Sequence, residues 1–397
     1  MTNFVTPPSQ NAGNAVSVAV RRRYELLAHA QSLLTENNVK GRTGKRHKTI
    51  GCHICRIDRD KPVTGIHIPG QQAGVYANLQ KCGNVHACPV CGAKISERRR
   101  LELQTGLDNL VASGHSYAMA TFTLQHRAGE TASTVRERVV ASFRKLFAGN
   151  PGKRLRERFG ILGFVKNIET PYGANGWHVH PHVIFVFETS FHGLNGAFAA
   201  EFEGYLGKRW RHVVEKMGGY ADTDHGFKMS WDSQDIAGYV TKMNDDSEWT
   251  LAHEMSKGVV KRGRNGSRTP TELLIDSAYG DEDAGRKWVE YVQAFSGKQQ
   301  LAYTPGLKAL MGLEEKTDEE IAEEKEAIGR EIVQFSGESW PAVVGNGIQA
   351  EVQLLIGRGD PHALQQYLTD FDIVDGVWFP DIDNDRVYHD GHNYEIT

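Results

Sequence analysis

The stretch GWHVHPHVIFVF, residues 176–187, constrains the fold more than any other part of the sequence. Histidines alternate with apolar residues in its first half, and β-formers fill its second half. Because a strand turns successive side chains to opposite faces, His178, His180 and His182 would share one face. The other face is wholly apolar. The alternation therefore predicts a strand that packs one face in a core and begins its other face as a row of imidazoles.

Strands and helices are predicted on both sides of this stretch. ILGFVKNIET (161–170) reads as a strand that forms a hairpin with the histidine strand through PYGANG. The order strand, helix, strand, strand, helix, strand, helix indicates an α+β fold with an antiparallel sheet rather than a parallel one. The predicted regions are a basic, zinc-binding region (1–114), a catalytic domain (115–245), a basic helical extension (246–315) and an acidic C-terminal region (316–397).

Length and composition are those of a globular protein with a sizeable core. The chain has 397 residues, of which 40% are hydrophobic and 24% charged. No apolar run reaches the roughly 18 residues that a membrane span needs, and the N-terminus lacks the layout of a signal peptide. Five cysteines, an odd number, favour reduced thiols or metal ligands over disulfides. We therefore expect a cytoplasmic protein with no membrane partner.

The net charge of −3 hides a strong asymmetry. Residues 317–397 carry 4 Lys and Arg against 18 Asp and Glu, a net charge of −14, and residues 1–316 carry 42 against 31, a net charge of +11. A single basic cluster is usually only a solvated face, but five such clusters in one segment indicate a polyanion partner such as nucleic acid. The five clusters are RRR (21–23), GRTGKRHK (41–48), RRR (98–100), KRLRER (153–158) and KRGRNGSR (261–268). The predicted DNA contacts in two of these clusters are Arg98, Arg99, Arg100, Lys261, Arg262 and Arg264.

The three histidines suit a metal site or acid–base chemistry. One exposed histidine on a strand is usually an ordinary surface residue, whereas three in alternation are unlikely by accident. Imidazole nitrogens suit Zn, Mn, Co or Ni, and Mg²⁺ prefers oxygen ligands. Glu169, on the partner strand of the hairpin, would complete the coordination if the register brings it close. The alternative interpretation is that Glu169 is an ordinary exposed carboxylate on a strand.

DIAGYVTK, residues 235–242, reads as a helix that places Asp235, Tyr239 and Lys242 on one stripe. An ordinary amphipathic face with a half-buried tyrosine is the simpler explanation of the pattern alone. The chemical alternative is a tyrosine nucleophile, since a hydroxyl with a pKa of about 10 needs an electropositive neighbour such as Lys242. Asp235 would then accept a proton or activate water.

The cysteines predict a structural zinc site. Cys52-x2-Cys55 is followed after 26 residues by Cys82, and Cys88-x2-Cys91 completes the set. Two CxxC pairs in one chain are a strong signal for Zn²⁺. We predict ligation by Cys52, Cys55, Cys88 and Cys91, with substitutes in Cys82, His53 and His86. The alternative is a set of buried free thiols.

Taken together, these motifs resemble plasmid rolling-circle replication initiators, the Rep proteins of the HUH endonuclease superfamily. CGNVHACPVCGAKISERR, TFTL, IETPYGANGWHVHPHV, DIAGYVTK and KRGRNGSRTPTELL occur in the order of that family, over residues from about 50 to 315. The resemblance implies an antiparallel five-stranded sheet of palm or RRM-like topology backed by helices. It also implies origin DNA, duplex and single-stranded, as the substrate, with host helicase and replication proteins as partners and a homodimer as one option.

The resemblance further implies a single-strand nickase. His180 and His182 would hold Mn²⁺ or Mg²⁺, with His178 or Glu169 as further ligands. Tyr239 would attack the phosphate and become 5′-phosphotyrosyl-linked, which frees a 3′-OH primer, and Asp235 would act at termination. The chain departs from the family pattern at Pro181, where a bulky apolar residue is usual and where proline removes a ladder donor.

Three rival functions remain open from the sequence. A relaxase or HUH transposase would use the same chemistry on another DNA site. A noncatalytic zinc-dependent DNA-binding regulator would use the histidines as a second structural site. A metallohydrolase using activated water would cut DNA without a covalent adduct.

Overall fold

A computed structural model describes residues 10–190, 196–231, 266–323, 329–380, 386–389 and 392–395, with side chains in those ranges from residue 15 to residue 380. In chain order the helices are α1 (Gln10–Glu36), α2 (Pro89–Ala112), α3 (Ala132–Leu146), α4 (Gly149–Phe159), α5 (Gly196–Lys216), α6 (Pro270–Ala278), α7 (Glu282–Phe295), α8 (Leu307–Leu310), α9 (Asp318–Glu323), α10 (Ser339–Gly345), α11 (Gln349–Arg358) and α12 (Pro361–Thr369). The strands are β1 (Val63–His67), β2 (Val75–Ala77), β3 (Ser116–Phe122), β4 (Ile161–Glu169), β5 (Tyr172–Gly173), β6 (Gly176–Trp177), β7 (His180–Phe187), β8 (Phe227–Ser230), β9 (Ala302–Tyr303), β10 (Gly329–Phe335), β11 (Val377–Trp378), β12 (Arg386–His389) and β13 (His392–Glu395).

The chain folds as two compact units. The first comprises the described residues of Met1–Cys91 and Glu319–Thr397, and the second comprises those of Gly92–Ser247 and Val260–Asp318. The first unit therefore combines two segments that are more than 200 residues apart in the sequence. Both units combine helices with antiparallel sheets, so the predicted α+β class is confirmed.

The first unit is built on a six-stranded sheet in the order β13-β12-β10-β1-β2, with β11 also paired to β10. Its central contact is the antiparallel pair of β1 and β10, in which Val63 lies opposite Phe335. Trp340 is buried against the rings of Tyr76 and Phe335, and its Nε1 donates to the carbonyl of Ile54 at 3.0 Å. The acidic C-terminal region thus contributes core residues and a central strand to this unit.

The second unit is built on a five-stranded antiparallel sheet in the order β8-β3-β7-β4-β9. The histidine strand β7 lies in the middle, between β3 and β4. Pro181 is the second residue of β7 and lies opposite Ile168, while the ladder to β3 begins one residue later at His182. Proline is therefore placed at a strand start, where a missing donor disturbs the sheet least. The predicted hairpin of β4 and β7 is confirmed.

Both faces of this sheet are packed, because the second half of β7 places apolar side chains on each face in turn. On the histidine face, Ile184 and Val186 join an aliphatic cluster with three leucines of α2: Leu103, Leu107 and Leu110. The opposite face is aromatic and meets α3 and α5 through ring contacts among Phe122, Phe143, Phe185, Phe202 and Trp210. The three histidines of the stretch therefore lie at one end of the sheet, before the residues of β7 that are packed on both faces.

Candidate functional site

Glu169, His180 and His182 form one cluster at the end of the β4–β7 hairpin. The register places Glu169 directly opposite His180. The Nε2 atoms of His180 and His182 lie 2.6 Å and 3.0 Å from the same oxygen, Oε2 of Glu169. Both histidines are buried and the carboxylate is half-buried. The hairpin thus converges three ligand atoms on one point.

The outer nitrogens of both rings are held by neighbouring groups. His180 Nδ1 lies 3.1 Å from the carbonyl oxygen of His178, and in the tautomer that donates to this carbonyl, Nε2 would present its lone pair to a metal ion. His182 Nδ1 lies 3.1 Å from the hydroxyl of Thr121 on β3. Such contacts orient imidazoles towards a metal ion. Thr121 was not singled out from the sequence, and its only signal is a hydroxyl in the TFTL strand.

The charge state of the cluster follows from burial and mutual contact. Burial alone would raise the pKa of Glu169, but the hydrogen bonds and charge of His180 and His182 lower it to about 2. Burial also lowers the pKa of His182, against the opposing effect of Glu169. The carboxylate is therefore ionised at neutral pH and offers a negative oxygen ligand.

The donor set fits a divalent cation. Two imidazole lone pairs and a carboxylate oxygen would repel one another at these separations unless a proton or a metal ion lay between them. Neighbouring ligands around an octahedral ion with bonds of 2.0–2.1 Å are about 3.0 Å apart, which resembles the 2.6 Å and 3.0 Å between Oε2 of Glu169 and the two Nε2 atoms. One carboxylate and two imidazoles suit Mn²⁺ better than Mg²⁺, which prefers oxygen.

His178 lies beside this cluster but is not one of its three members. Its ring stacks on that of His126 at a centroid distance of 5.1 Å and lies 4.6 Å from the ring of His180. Burial, together with the charge of His180 and His126, lowers the pKa of His178 to about 4. At neutral pH it is an uncharged, partly exposed aromatic face next to the candidate metal site.

Several predicted site residues fall outside the described residues. They are Asp235, Tyr239 and Lys242 of the predicted tyrosine helix and Lys261, Arg262 and Arg264 of the last basic cluster.

The cysteines form a second cluster, with a membership that differs from the favoured prediction. The Sγ atoms of Cys52, Cys82, Cys88 and Cys91 all lie within 4.8 Å of one another, and all four residues are buried. Cys55 is exposed and is not a member of this cluster. Residues 53–57 pair with residues 78–80, through His53 N to Gln80 O and Gln80 N to Cys55 O, and this pairing carries Cys82 next to Cys52.

The four thiols fit a tetrahedral zinc ion. Cys52 Sγ lies 3.7 Å from Cys88 Sγ and 3.5 Å from Cys91 Sγ. Zinc–sulfur bonds of about 2.3 Å in a tetrahedron place the sulfurs roughly 3.8 Å apart. Backbone N–H groups support the sulfurs, from Cys82 to Cys52 at 3.3 Å and from Cys91 to Cys88 at 3.3 Å. His53 is not a member of the cluster but hydrogen-bonds Cys91.

The RRR cluster of α2 contains one structural arginine. Arg99 is 3% exposed and its guanidinium binds Asp318, Glu102 and the carbonyl of Lys316 at 2.6–3.1 Å. The predicted DNA contact at Arg99 is therefore incompatible with its burial. Arg98 is exposed, and Arg100 pairs with Glu97 at the surface. Successive residues of a helix point in different directions, so Arg99 faces the interior while its neighbours Arg98 and Arg100 face outwards.

We expect Arg99→Ala to lower the free energy of unfolding by about 3–5 kcal/mol, because it removes a buried guanidinium that binds Asp318, Glu102 and the carbonyl of Lys316. The matched control Arg100→Ala removes a surface pair with Glu97 and should cost about 0–1 kcal/mol. Urea denaturation of the two variants measures both values. Equal losses would contradict the structural role of Arg99.

The geometry defines a protein with two candidate metal centres, one of thiolates and one of imidazoles with a carboxylate. Comparison with known proteins identifies the family to which the chain belongs. A family model described as "Replication protein" matches residues 74–339, about two thirds of the chain. The chain is 23% identical over 376 aligned residues to "Protein rep" of Streptomyces lividans, covering 76% of this chain and 82% of that protein. It is also 26% identical over 149 residues to "Neomycin resistance protein" of Streptomyces cyanogenus, covering 31% of this chain and 34% of that protein.

The chain therefore belongs to the replication protein family, as a plasmid Rep protein. Plasmid replication initiation is the function that this membership indicates. No solved structure matches the chain. Within the described residues, no helix has both the length and the apolar character that crossing a bilayer requires.

Proposed function

We propose that this protein initiates rolling-circle replication by nicking one strand of plasmid origin DNA, as an HUH-type endonuclease. The observation that carries the proposal is the convergence of Glu169, His180 and His182 on one point of a five-stranded antiparallel sheet, in a chain of the replication protein family. A regulator would need no half-buried acidic oxygen beside two oriented imidazoles. A nuclease needs such a group to hold a cation against a phosphate.

The roles of the three ligands follow from their contacts. Glu169 supplies the ionised oxygen, while Thr121 and the His178 carbonyl hold His182 and His180 in the orientation that presents Nε2. A bound Mn²⁺ or Mg²⁺ would supply Lewis-acid polarisation of the scissile phosphate. The proposed nucleophile is Tyr239, on the basis of the DIAGYVTK motif alone.

The proposed step is a transesterification that balances without an external co-reactant. The Tyr239 oxygen forms a bond to phosphorus, the bond from phosphorus to the 3′ oxygen breaks, and the 3′ oxygen takes up a proton. Lys242 would favour the tyrosinate and Asp235 would accept its proton. Because the phosphotyrosyl link conserves the phosphodiester bond energy, the reverse reaction rejoins the strand without ATP.

The cysteine cluster has a separate, structural role in this proposal. A zinc ion held by Cys52, Cys82, Cys88 and Cys91 would fix the residues that enter α2, whose exposed Arg98 is a proposed DNA contact. Origin DNA, duplex and single-stranded, is the proposed substrate. Host helicase and replication proteins are the proposed partners, and assembly as a homodimer remains a proposal.

The test uses the full chain, supercoiled plasmid that carries its origin, and Mn²⁺. We expect relaxation of the plasmid together with a covalent protein–DNA adduct that survives denaturing electrophoresis. Tyr239→Phe should lose both, since it removes the attacking oxygen, while its DNA binding stays unchanged. Binding without cleavage by the wild-type protein would favour the regulator, and cleavage without an adduct would favour a metallohydrolase.

A further inference from the structure

A cleft of about 510 Å³ opens beside the histidine cluster in the second unit. Its lining includes His178, whose ring lies 4.6 Å from the ring of the candidate metal ligand His180. The cleft and the candidate metal site are therefore neighbours. The volume is within the range of small-molecule pockets, roughly 300–1,000 Å³. The cleft is thus adjacent to the position proposed for the scissile phosphate.

The side chains of this cleft offer flat rings and amides. His178 and His126 stack on each other, and Nδ1 of His126 is held at 2.9 Å by the carbonyl of Asn175. Tyr220 also lines the cleft and is 51% exposed, and its backbone carbonyl is fixed by Gln125 N at 2.7 Å. The amides of Asn175 and Gln125 carry both donors and acceptors.

The charge of the cleft argues against a phosphate as its occupant. The described residues that line it include no lysine or arginine, and they do include Asp222. The carboxylate of Asp222 accepts from the N–H groups of Asp224 and His225 and from the ring of His225 at 2.9–3.0 Å. A negative phosphate would be poorly accommodated there, whereas an uncharged planar group with a hydrogen-bonding edge matches the rings and amides.

We propose that this cleft binds an unstacked base of the single strand next to the scissile phosphate, stacked on the half-exposed ring of Tyr220 and bordered by His178. Stacking of bases on aromatic side chains is the usual means of holding single-stranded DNA, and it works for any base because every base has a flat face. The inference rests on the proposed nicking function, whose substrate it specifies. It also gives His178 a role as a wall of the base-binding cleft in place of the ligand role predicted from the sequence.

The test measures binding without chemistry, on the full zinc-loaded chain with no Mn²⁺ or Mg²⁺ added. Fluorescence anisotropy compares short labelled strands of adenine, cytosine or thymine with an abasic strand of equal length, which keeps the phosphates and removes the bases. We expect Tyr220→Ala and His178→Ala to weaken binding of at least one base-containing strand by about 5- to 150-fold. Binding of the abasic strand should stay unchanged, and Tyr220→Phe should retain wild-type affinity.

Tyr279→Ala is the matched control, because Tyr279 is another tyrosine of the same unit, 78% exposed, and does not line the cleft. Circular dichroism confirms that each variant is folded. The proposal is overturned if Tyr220→Ala binds all strands like the wild type, or if it weakens the abasic strand equally. Since the assay needs neither added Mn²⁺ nor cleavage, its failure is distinguishable from the absence of a covalent adduct, which would overturn the nicking function instead.

Discussion

Cys82→Ser is expected to abolish zinc binding and unfold much of the first unit, whereas Cys55→Ser should leave both metal content and stability unchanged. Cys82 Sγ belongs to the buried cluster of four thiols, and Cys55 is exposed outside it. A structural zinc ion contributes apparent binding free energies of about 10–16 kcal/mol in small zinc domains at neutral pH. Zinc content by mass spectrometry and thermal unfolding by circular dichroism measure the two effects.

The two variants are matched, because each replaces one sulfur atom by one oxygen atom within the first unit. A chelator should lower the unfolding temperature of the wild type and of Cys55→Ser, and it should change Cys82→Ser little. If Cys55→Ser loses the metal and Cys82→Ser retains it, the ligand set deduced from the structure is wrong and the two-CxxC set is right.

His182→Ala is expected to reduce nicking by about 1,000-fold or more, with a parallel loss of Mn²⁺ affinity. The variant removes one of three ligand atoms and leaves the Glu169 carboxylate buried beside a gap. Lewis-acid catalysis by a metal ion is worth several kcal/mol, and about 4 kcal/mol corresponds to this factor in rate. Single-turnover cleavage of a labelled strand gives the rate, and isothermal titration calorimetry gives the affinity for Mn²⁺.

His178→Ala is the control for that experiment. Its ring lies next to the cluster but contributes no ligand atom, and the variant keeps the backbone carbonyl that contacts His180, so the affinity for Mn²⁺ should stay within about twofold of wild type. An equal loss of Mn²⁺ binding in both variants would show that three histidines, rather than two with Glu169, hold the ion.

The sequence predicted the strand core of the second unit well because its signals are local. Alternation over eight residues identifies β7 and its hairpin with β4, which made Glu169 a candidate ligand, but only the structure supplies the register that places Glu169 opposite His180. Thr121 could not be anticipated in the same way. It reaches His182 from β3, about sixty residues earlier in the chain, and no periodic pattern links the two positions.

The features that the sequence missed depend on long-range packing. CxxC spacing favoured Cys55, but the pairing of residues 53–57 with 78–80 selected Cys82. A run of three arginines reads as one basic surface, although the helix turns Arg99 into the interior, where Asp318 and Glu102 neutralise it. The cleft beside His178 draws on three separate segments and has no signature in any one of them.

The pairing of β1 with β10 has a consequence for how the protein is made. β1 emerges from the ribosome more than 250 residues before its partner β10. Until translation reaches that point, one edge of β1 presents unpaired N–H and C=O groups. A Rep protein that is cut short before β10 would therefore lack the centre of its first sheet, and only chains that extend through β10 would form that pairing.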